Sequence, residues 1–401
     1  ARRVAVPRCG SPSSLRPMTP TRIFLDHAAG SPTPPEVIER MAELQRDGIG
    51  NPNGGHAEAR RARAVLDSAR ASLAEDFGAE PRQITFTATA SEALALGLHS
   101  ALRPNGSLVT TAGEHRGARA LAARHAATGG RVELLDLDAQ GSMQAVALSA
   151  DLSGSVGLFA LASGEVGTIQ PWATVVAAWR SSGGGALVLD AVQAAYHRPL
   201  DVREIGAEHV VVGSAKVGGP FGIAALISAP DVAVRPLVVG GGQERGRRGG
   251  TEAVVLAAGF AAANRAHRLQ AEETRRHLAA VVAAFDEALG PLASLGLVPT
   301  GASFDSEARL AGHRSYAADW VLGDDLVAAL DHAGIAASTG SACISGSREP
   351  SEALRAMGHS EDAARGGLRL TFGRTSTVEE ARHAAGVIRS VVQRVRAVVS
   401  A

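Results

Sequence analysis

The chain lacks both an apolar run of membrane-spanning length and an excess of charge of either sign. A spanning helix needs about 20 consecutive apolar residues, whereas the best candidates, residues 185–189 and 222–228, have the length of single strands and begin with glycine. The 401 residues include 40 lysines and arginines and 40 aspartates and glutamates. A nucleic-acid-binding protein would show a basic excess, so we expect neither nucleic acid nor a membrane as a partner.

Cysteine is scarce, with only Cys9 and Cys343 in the whole sequence. Cys9 lies in residues 1–17, an arginine- and serine-rich stretch without acidic residues, for which we expect a disordered tail. Transit peptides have a similar composition, but the prolines of this stretch would break an amphipathic helix. We therefore expect no disulfide framework, and the predicted location is a reducing cytoplasm.

Lysine is almost absent, because Lys216 is the only lysine in the sequence. It follows the apolar residues 210–212 and stands among the small residues of the segment 213–219. Only an amine can form a Schiff base, and arginine cannot replace it there. A surface lysine is the ordinary alternative, but this chain uses arginine elsewhere for basic charge. The pattern therefore indicates that position 216 needs an amine.

Short apolar stretches alternate with amphipathic ones along most of the chain. Strands are predicted at residues 82–87, 107–111, 131–136, 155–162, 186–190, 210–213 and 223–227, and helical patterns at residues 91–102, 116–127, 257–289 and 378–399. This alternation predicts an α/β fold with a mostly parallel sheet and helices on both faces. No low-complexity linker divides the sequence, so we expect a second domain to pack tightly on the first.

Polar residues that can hold a cofactor follow the predicted strands. Asp190 ends an apolar strand, at the sheet edge where ligands of α/β proteins bind. A carboxylate buried there needs a cation, such as a protonated pyridine nitrogen. Gln193 lies about one helical turn further, and His115 follows another strand to the same edge, where it can stack on a ring or move a proton. The simpler alternatives are a helix cap for Asp190 and a structural role for His115.

Two segments have the composition of an anion site. Residues 87–92 run from a strand into a helix, and the small residues Ala90 and Ser91 let backbone N–H groups face an anion at the helix N-terminus. An ordinary capped helix start would look the same. The glycine- and arginine-rich residues 240–251, which end at Thr251, are the second candidate, and a mobile surface loop is the alternative reading of that pattern.

Cys343 lies in residues 338–347, a small, polar segment. Buried structural cysteines normally have apolar neighbours. A thiol on an exposed loop can act as a nucleophile, because exposure and a depressed pKa raise the fraction of thiolate. The sequence therefore favours a reactive thiol at position 343.

Taken together, these segments resemble the cysteine desulfurases of the class V aminotransferase group, which are fold type I pyridoxal-phosphate (PLP) enzymes. The resemblance covers about residues 21–389 and is carried by residues 23–29, 48–52, 164–171, 190–193, 244–251, 340–343, 349–351 and 368–374. It implies a large domain over residues 18–275 with a mostly parallel sheet of the seven-stranded type. The N-terminal segment of this range would contribute to the small domain instead. A smaller α+β domain would span residues 276–401 and carry the cysteine loop.

The resemblance also implies roles for individual residues. Cys343, Lys216 and His115 would be catalytic, and Arg369 and Ser163 would bind the substrate. The cofactor would contact Lys216, Asp190, Gln193, His115, Ala90, Ser91, Ser214 and Thr251. The expected protein is a homodimer without a metal, in which Thr251 reaches the neighbouring subunit's phosphate. It would convert L-cysteine to L-alanine and pass a Cys343 persulfide to an acceptor protein or thiol.

Several positions depart from the family pattern and indicate a divergent member. The family usually has histidine before the cofactor lysine and a phosphate-binding serine three residues before it, where this chain has Ala215 and Gly213. Asparagines of the family are replaced by His27, Ser163, Leu94 and Ala95. The polar shell of the site is thereby thinned. Alternative functions are another PLP reaction, namely a beta-lyase, transaminase or epimerase, or a non-catalytic scaffold.

Overall fold

The computed structural model describes residues 22–144, 148, 151–197, 199–340 and 349–399. The predicted tail over residues 1–17 and the predicted nucleophile Cys343 lie outside the described residues. The strands are β1 Ile23–Phe24, β2 Ile84–Thr87, β3 Ser107–Thr111, β4 Arg131–Leu135, β5 Val156–Ala160, β6 Leu187–Asp190, β7 His209–Gly213, β8 Ala224–Ser228, β9 Val298–Pro299, β10 His313–Ala317, β11 Ile335–Ala336 and β12 Leu368–Thr371. The helices are α1 Pro35–Arg46, α2 Ala57–Asp76, α3 Ala90–Ala101, α4 Arg116–Ala127, α5 Trp172–Ser181, α6 Val202–Ile205, α7 Val254–Leu269, α8 Ala271–Leu289, α9 Gly323–His332, α10 Glu352–Ala356, α11 Glu361–Arg365 and α12 Val378–Val399.

A seven-stranded sheet in the order β2-β8-β7-β6-β5-β3-β4 forms the centre of the fold. Strands β4, β3, β5, β6 and β7 run parallel, and β8 is antiparallel to both of its neighbours. Strands β6, β7 and β8 are buried along their whole length, which is why they read as continuous apolar runs. The predicted α/β class and mostly parallel sheet are confirmed.

Helices cover both faces of this sheet. On one face, Val109, Leu187 and Leu189 join a core with residues of α2, α5 and α7. On the other face, Leu108 and Val188 join a core with α3 and α4. Neighbouring strand residues thus serve opposite cores, because side chains alternate across a strand.

A separate apolar core, away from the seven-stranded sheet, combines the two ends of the described chain, and we call it the second core. Strand β1 pairs with β11, and Ile23 and Leu25 pack with residues of α8, α9 and α12 next to the sheet β12-β10-β9. The boundary predicted at residue 275 stays a prediction. In the described part of the chain, no helix combines the length and apolarity that a bilayer crossing requires.

The helical pattern over residues 257–289 is two helices, not one. The break falls at Gln270, which has φ −110° and ψ 8° and ends α7 before α8 begins. Phe260 of α7 is buried in the core of the large sheet, whereas Phe285 of α8 is buried in the second core. A break lets the two apolar faces point to different cores, which the amphipathic pattern alone does not reveal.

A buried ion pair fastens the glycine-rich segment 240–251 to the sheet. Arg70 of α2 and Glu244 are 3% and 2% exposed and form two contacts of 2.7 Å. Glu244 also accepts a hydrogen bond of 2.9 Å from the backbone N–H of Phe86 in β2. Glu244 and Arg245 have φ values of 48° and 59°, a conformation that costs energy outside glycine and persists when contacts enforce it.

Replacing Glu244 by alanine should lower the free energy of unfolding by about 3–5 kcal/mol, because Arg70 would stay buried without its partner. Urea unfolding at equal protein concentration measures the change. Glu272→Ala is the control, since it removes the ion pair with Arg275, in which both side chains are 64% exposed, and should have no measurable effect. Equal losses in the two variants would contradict the expectation.

Candidate active site

Four of the predicted site residues lie at one edge of the seven-stranded sheet. Strands β3, β5, β6 and β7 are parallel, so their carboxyl ends share this edge. His115 follows β3, Ser163 follows β5, Asp190 ends β6 and Lys216 follows β7. We call the space that they border the cleft; in α/β proteins such an edge is where ligands bind.

Lys216 lies in a tight turn against the N-terminal stretch of the chain. Its Nζ donates a hydrogen bond of 2.7 Å to the backbone oxygen of Ala29. The turn is closed by Gly218, whose φ of +78° and approach to Pro32 exclude a side chain: a Cβ there would lie 2.8 Å from the Pro32 oxygen. The turn can therefore pack against the N-terminal stretch only with glycine at position 218.

Asp190 and Gln193 are fixed on the neighbouring side of the cleft. Asp190 is 8% exposed, and its Oδ1 accepts a hydrogen bond of 2.9 Å from the backbone N–H of Val192. Burial raises the pKa of the Asp190 carboxyl, while this hydrogen bond and the nearby His115 and Lys216 lower it. Gln193 Nε2 donates to the backbone oxygen of Ala28 at 3.0 Å. A cation at Asp190 would offset its desolvation.

His115 caps α4 and holds a neutral ring beside Asp190. Its Nδ1 accepts a hydrogen bond of 3.0 Å from the backbone N–H of Gly117, so the ring proton is assigned to Nε2. Burial lowers the pKa of His115, the Asp190 charge raises it, and Lys216 is among the cations that lower it further. The ring is accessible from the cleft and can stack on a flat group or exchange a proton there.

The start of α3 is the predicted anion site, and we call it the cradle. The Thr89 hydroxyl caps the helix by accepting the N–H of Glu92 at 3.1 Å. The preceding N–H groups of Ala90 and Ser91 point out of the helix end, where helices bind anions. Gly213 lies beside this cradle: a Cβ on it would lie 3.9 Å from the Cβ of Ala90. Glycine at position 213 thus leaves the space next to Ala90 without a side chain from that position.

Ser214 and Thr251 are two further residues that the sequence predicts to contact the cofactor. The Ser214 side chain is completely buried, a Cβ on Gly219 would lie 2.2 Å from its Oγ, and this oxygen has no hydrogen-bond partner in the described part of the chain. The hydroxyl therefore lies beside Gly219 of the lysine turn, and its predicted contact with the cofactor stays a prediction. Thr251 is exposed, at the end of a segment that Arg248 joins to Glu92 of α3 through a 2.8 Å ion pair.

Arg369, in β12, reaches the cleft from the second core. It is 7% exposed; its Nη1 donates to the Gly164 oxygen at 2.9 Å and its Nη2 to Asp26 Oδ1 at 2.8 Å. Its Nε is buried without an acceptor among the described residues. The Ser163 hydroxyl accepts the N–H groups of Glu165 and Val166 at 3.3 and 3.2 Å, so this substitution for asparagine shapes the turn.

Glu114 is a residue of the site that the sequence analysis missed. It accepts hydrogen bonds from Thr111 Oγ1 at 2.9 Å and from the Ala160 N–H at 2.8 Å, deep between β3 and β5. Burial, together with the charge of Asp190, raises the pKa of Glu114 to about 8. The sequence did contain a clue to Glu114, because this residue directly precedes His115 and follows β3, a strand that ends at the cleft. The described residues contain no cluster that could hold a metal ion.

Comparisons with known proteins agree with this architecture. The family model described as aminotransferase class-V matches residues 23–383. A protein of Mycobacterium tuberculosis named IscS-like cysteine desulfurase is 38% identical over 93% of this chain and 97% of its own length. A cysteine desulfurase of Gluconacetobacter diazotrophicus is 33% identical over 93% of this chain and 94% of its own length.

Two solved structures are also similar to this chain over most of its length. A structure titled NifS-like protein has a TM-score of 0.85 at 25% identity and covers 93% of this chain and 100% of its own. Another, titled SspA in complex with cysteine, has a TM-score of 0.72 at 26% identity and covers 88% of this chain and 99% of its own. The roles of the individual site residues stay predictions.

Glu114→Gln should change how stability depends on pH. The pKa of Glu114 is raised from its ordinary 4.5 to about 8 in the folded chain, so the folded state holds a proton that the unfolded state has lost between these values. Wild-type stability therefore falls as pH rises through this window. Glutamine cannot ionise, so the melting temperature of the variant should gain on that of the wild type from about pH 5 to about pH 8.

The control is Glu379→Gln, which changes an exposed glutamate at the start of α12. Thermal unfolding of the three proteins across the pH range gives the comparison. A Glu114→Gln curve parallel to that of the wild type would show that Glu114 does not hold the proton.

Proposed function

The chain belongs to the class-V aminotransferase family, and within it to the cysteine desulfurases; from this premise we propose that it removes the sulfur of L-cysteine with PLP as cofactor. The observation that carries the proposal is that residues 26–29 bind the Lys216 amine and the Arg369 guanidinium, next to the strand end that carries the buried Asp190. An amine, a partner for a ring cation and a carboxylate receptor are what PLP chemistry on an amino acid requires.

The residues present fit PLP. Lys216 would hold its aldehyde, Asp190 its ring nitrogen, Gln193 its ring oxygen, and the N–H groups of Ala90 and Ser91 its phosphate. The space left beside Ala90 by the missing side chain of Gly213 supports this placement. His115 would lie over the ring. When bound, PLP supplies an aldehyde that takes up amines and a ring that withdraws electrons from the substrate Cα.

The chain's own groups then act on the bound amino acid. Arg369 would bind the α-carboxylate through N–H groups that include Nε, a charge-assisted interaction. Lys216 would remove the proton from Cα and return it, while the neutral His115 offers its Nε2 proton at the same edge. The Cys343 thiolate would attack the substrate sulfur: the S–S bond forms, the Cβ–S bond breaks, and a proton reaches Cβ. The products are L-alanine and a persulfide on Cys343.

The wider setting is proposed from the family. We expect a homodimer in which Thr251 reaches the phosphate of the neighbouring subunit, and a cytoplasmic location. The persulfide would pass to an acceptor protein or a small thiol. The substitutions at Ala215, Gly213 and Ser163 remove polar groups near cofactor and substrate, and this favours, as a second candidate, a different PLP reaction such as a beta-lyase, transaminase or epimerase.

Incubation with L-cysteine and dithiothreitol tests the two candidates. A desulfurase should form alanine and sulfide in equal amounts, whereas pyruvate would indicate a lyase.

Cys343→Ser should stop sulfide release but keep the change in PLP absorbance on adding cysteine, since the thiol acts only on the sulfur. Lys216→Ala should remove the yellow colour. A Cys343→Ser variant with full activity would overturn the desulfurase proposal, and a colourless wild type would favour the scaffold alternative.

Gly213→Ser should tighten binding of PLP. A hydroxyl placed beside Ala90 can donate to the phosphate, and a hydrogen bond to a charged group contributes about 1.5 kcal/mol or more, roughly tenfold in affinity. A Cβ at this position would lie 3.3 Å from Val192 Cγ1, which a small shift relieves. Gly213→Ala is the matched control, because it adds the Cβ without the hydroxyl. Equal dissociation constants for the two variants, measured by absorbance titration, would contradict this placement of the phosphate.

A further inference from the structure

The chain segments on both sides of residues 341–348 meet at one side chain, that of Glu165. On the N-terminal side, a Cβ on Gly340 would lie 2.8 Å from Glu165 Cγ, so the Gly340 backbone packs directly on this side chain. On the C-terminal side, the Ser351 hydroxyl donates a hydrogen bond to Glu165 Oε1. The Glu165 side chain therefore contacts both Gly340 and Ser351, which lie on opposite sides of residues 341–348.

The two points are themselves fixed in the fold. The Gly340 N–H donates to Ser338 Oγ at 3.2 Å, and Ser338 exchanges two backbone hydrogen bonds of 3.1 and 2.6 Å with Arg369 of β12. Ser351 caps α10 by accepting the N–H of Leu354 at 3.1 Å. Its own N–H donates to the Ala364 oxygen at 2.9 Å. Glu165 thus links two anchored ends.

Glu165 also lies next to the residue that we assign to the substrate carboxylate. The neighbouring Gly164 oxygen accepts from Arg369 Nη1 at 2.9 Å, and the Gly340 oxygen accepts from the same nitrogen at 3.4 Å. Burial raises the pKa of Glu165, whereas the Ser351 hydrogen bond and the charges of Arg369 and Arg119 lower it. The Glu165 carboxyl group is thus hydrogen-bonded to Ser351 and lies within the electrostatic influence of Arg369.

We propose that Glu165 is a positioning residue for sulfur transfer, which fastens both ends of the segment that carries Cys343 beside Arg369. This inference rests on the proposed function. Glu165 itself has no part in the bond changes; it fixes where the chain leaves and re-enters the site. Displacement of a reacting group by about 1 Å can cost about a hundredfold in rate, so loss of this link should slow the sulfur step more than substrate binding.

Three variants break the link in different ways. Glu165→Ala removes it, Glu165→Gln keeps an oxygen acceptor for Ser351, and Ser351→Ala removes the donor from the other side. Ser360→Ala is the matched control: Ser360 caps α11 by accepting the N–H of Ala363 at 3.2 Å, as Ser351 caps α10. A cap is lost in both serine variants, but only one of them loses the contact with Glu165.

The first readout needs no turnover. The rate at which iodoacetamide alkylates Cys343 is followed by mass spectrometry of its peptide, with Cys9 as internal reference. Glu165→Ala and Ser351→Ala should change this rate several-fold, and the double variant should change it no further than Glu165→Ala alone. Ser360→Ala should match the wild type. Equal alkylation rates in Glu165→Ala, Ser351→Ala and Ser360→Ala would overturn the proposal.

The second readout separates the sulfur step from binding. With L-cysteine, Glu165→Ala should form the Cys343 persulfide about tenfold or more slowly, while the cysteine concentration that half-saturates the PLP absorbance change stays close to that of the wild type. Loss of this binding signal together with the persulfide would assign Glu165 to the substrate site instead. If the wild type forms no persulfide, the proposed function fails, and the alkylation comparison still decides on Glu165. Should Glu165→Ala fail to fold, Glu165→Gln and Ser351→Ala carry both measurements.

Discussion

The site depends on the contact between the N-terminal stretch, residues 26–31, and the turn that carries Lys216. Backbone oxygens of Ala28 and Ala29 accept from Gln193 and Lys216, and the Asp26 carboxylate pairs with Arg369. The same stretch continues from β1, which belongs to the second core. The amine and the guanidinium, which come from different sheets, are therefore set relative to each other by a few residues of backbone. This constraint explains why a short N-terminal segment packs with the C-terminal part of the chain.

Desolvation shifts the pKa values of the acids and bases of the cleft toward their neutral forms. Glu114 is buried and the neighbouring His115 is exposed at the cleft, yet desolvation favours the neutral form of each side chain. Asp190 experiences the same burial, but hydrogen bonding and its cationic neighbours counter it. The pKa of Asp190 nevertheless stays raised, because burial outweighs these contacts, and a cation beside the carboxylate would offset that cost. The pKa of Glu114 is raised to about 8, so this neighbouring acid keeps its proton at neutral pH.

Much of the fold could be predicted from the sequence, because buried parallel strands are continuous apolar runs and their ends place Asp190, His115 and Lys216 at one edge. The other features of the site could not be predicted, because they depend on contacts between distant parts of the sequence or on the direction in which a backbone turn points each side chain. The Asp26–Arg369 pair joins residues 343 positions apart, and no local pattern marks it. Gly213 and Ser214 are neighbours, yet only the structure shows that position 213 faces the cradle while the Ser214 hydroxyl lies beside Gly219. The break at Gln270 follows from two separate cores, which periodicity does not distinguish.

The solitary lysine has a consequence beyond binding. All other basic side chains are arginines or histidines, so the chain offers a single ε-amine to acylating enzymes, to ubiquitin ligases and to reactive sugars, which modify lysine and not arginine in the same way. That amine lies in the turn against Ala29. Under the proposed role of Lys216, acylation of its ε-amine would block the site, whereas the arginines elsewhere in the chain are not substrates for this reaction.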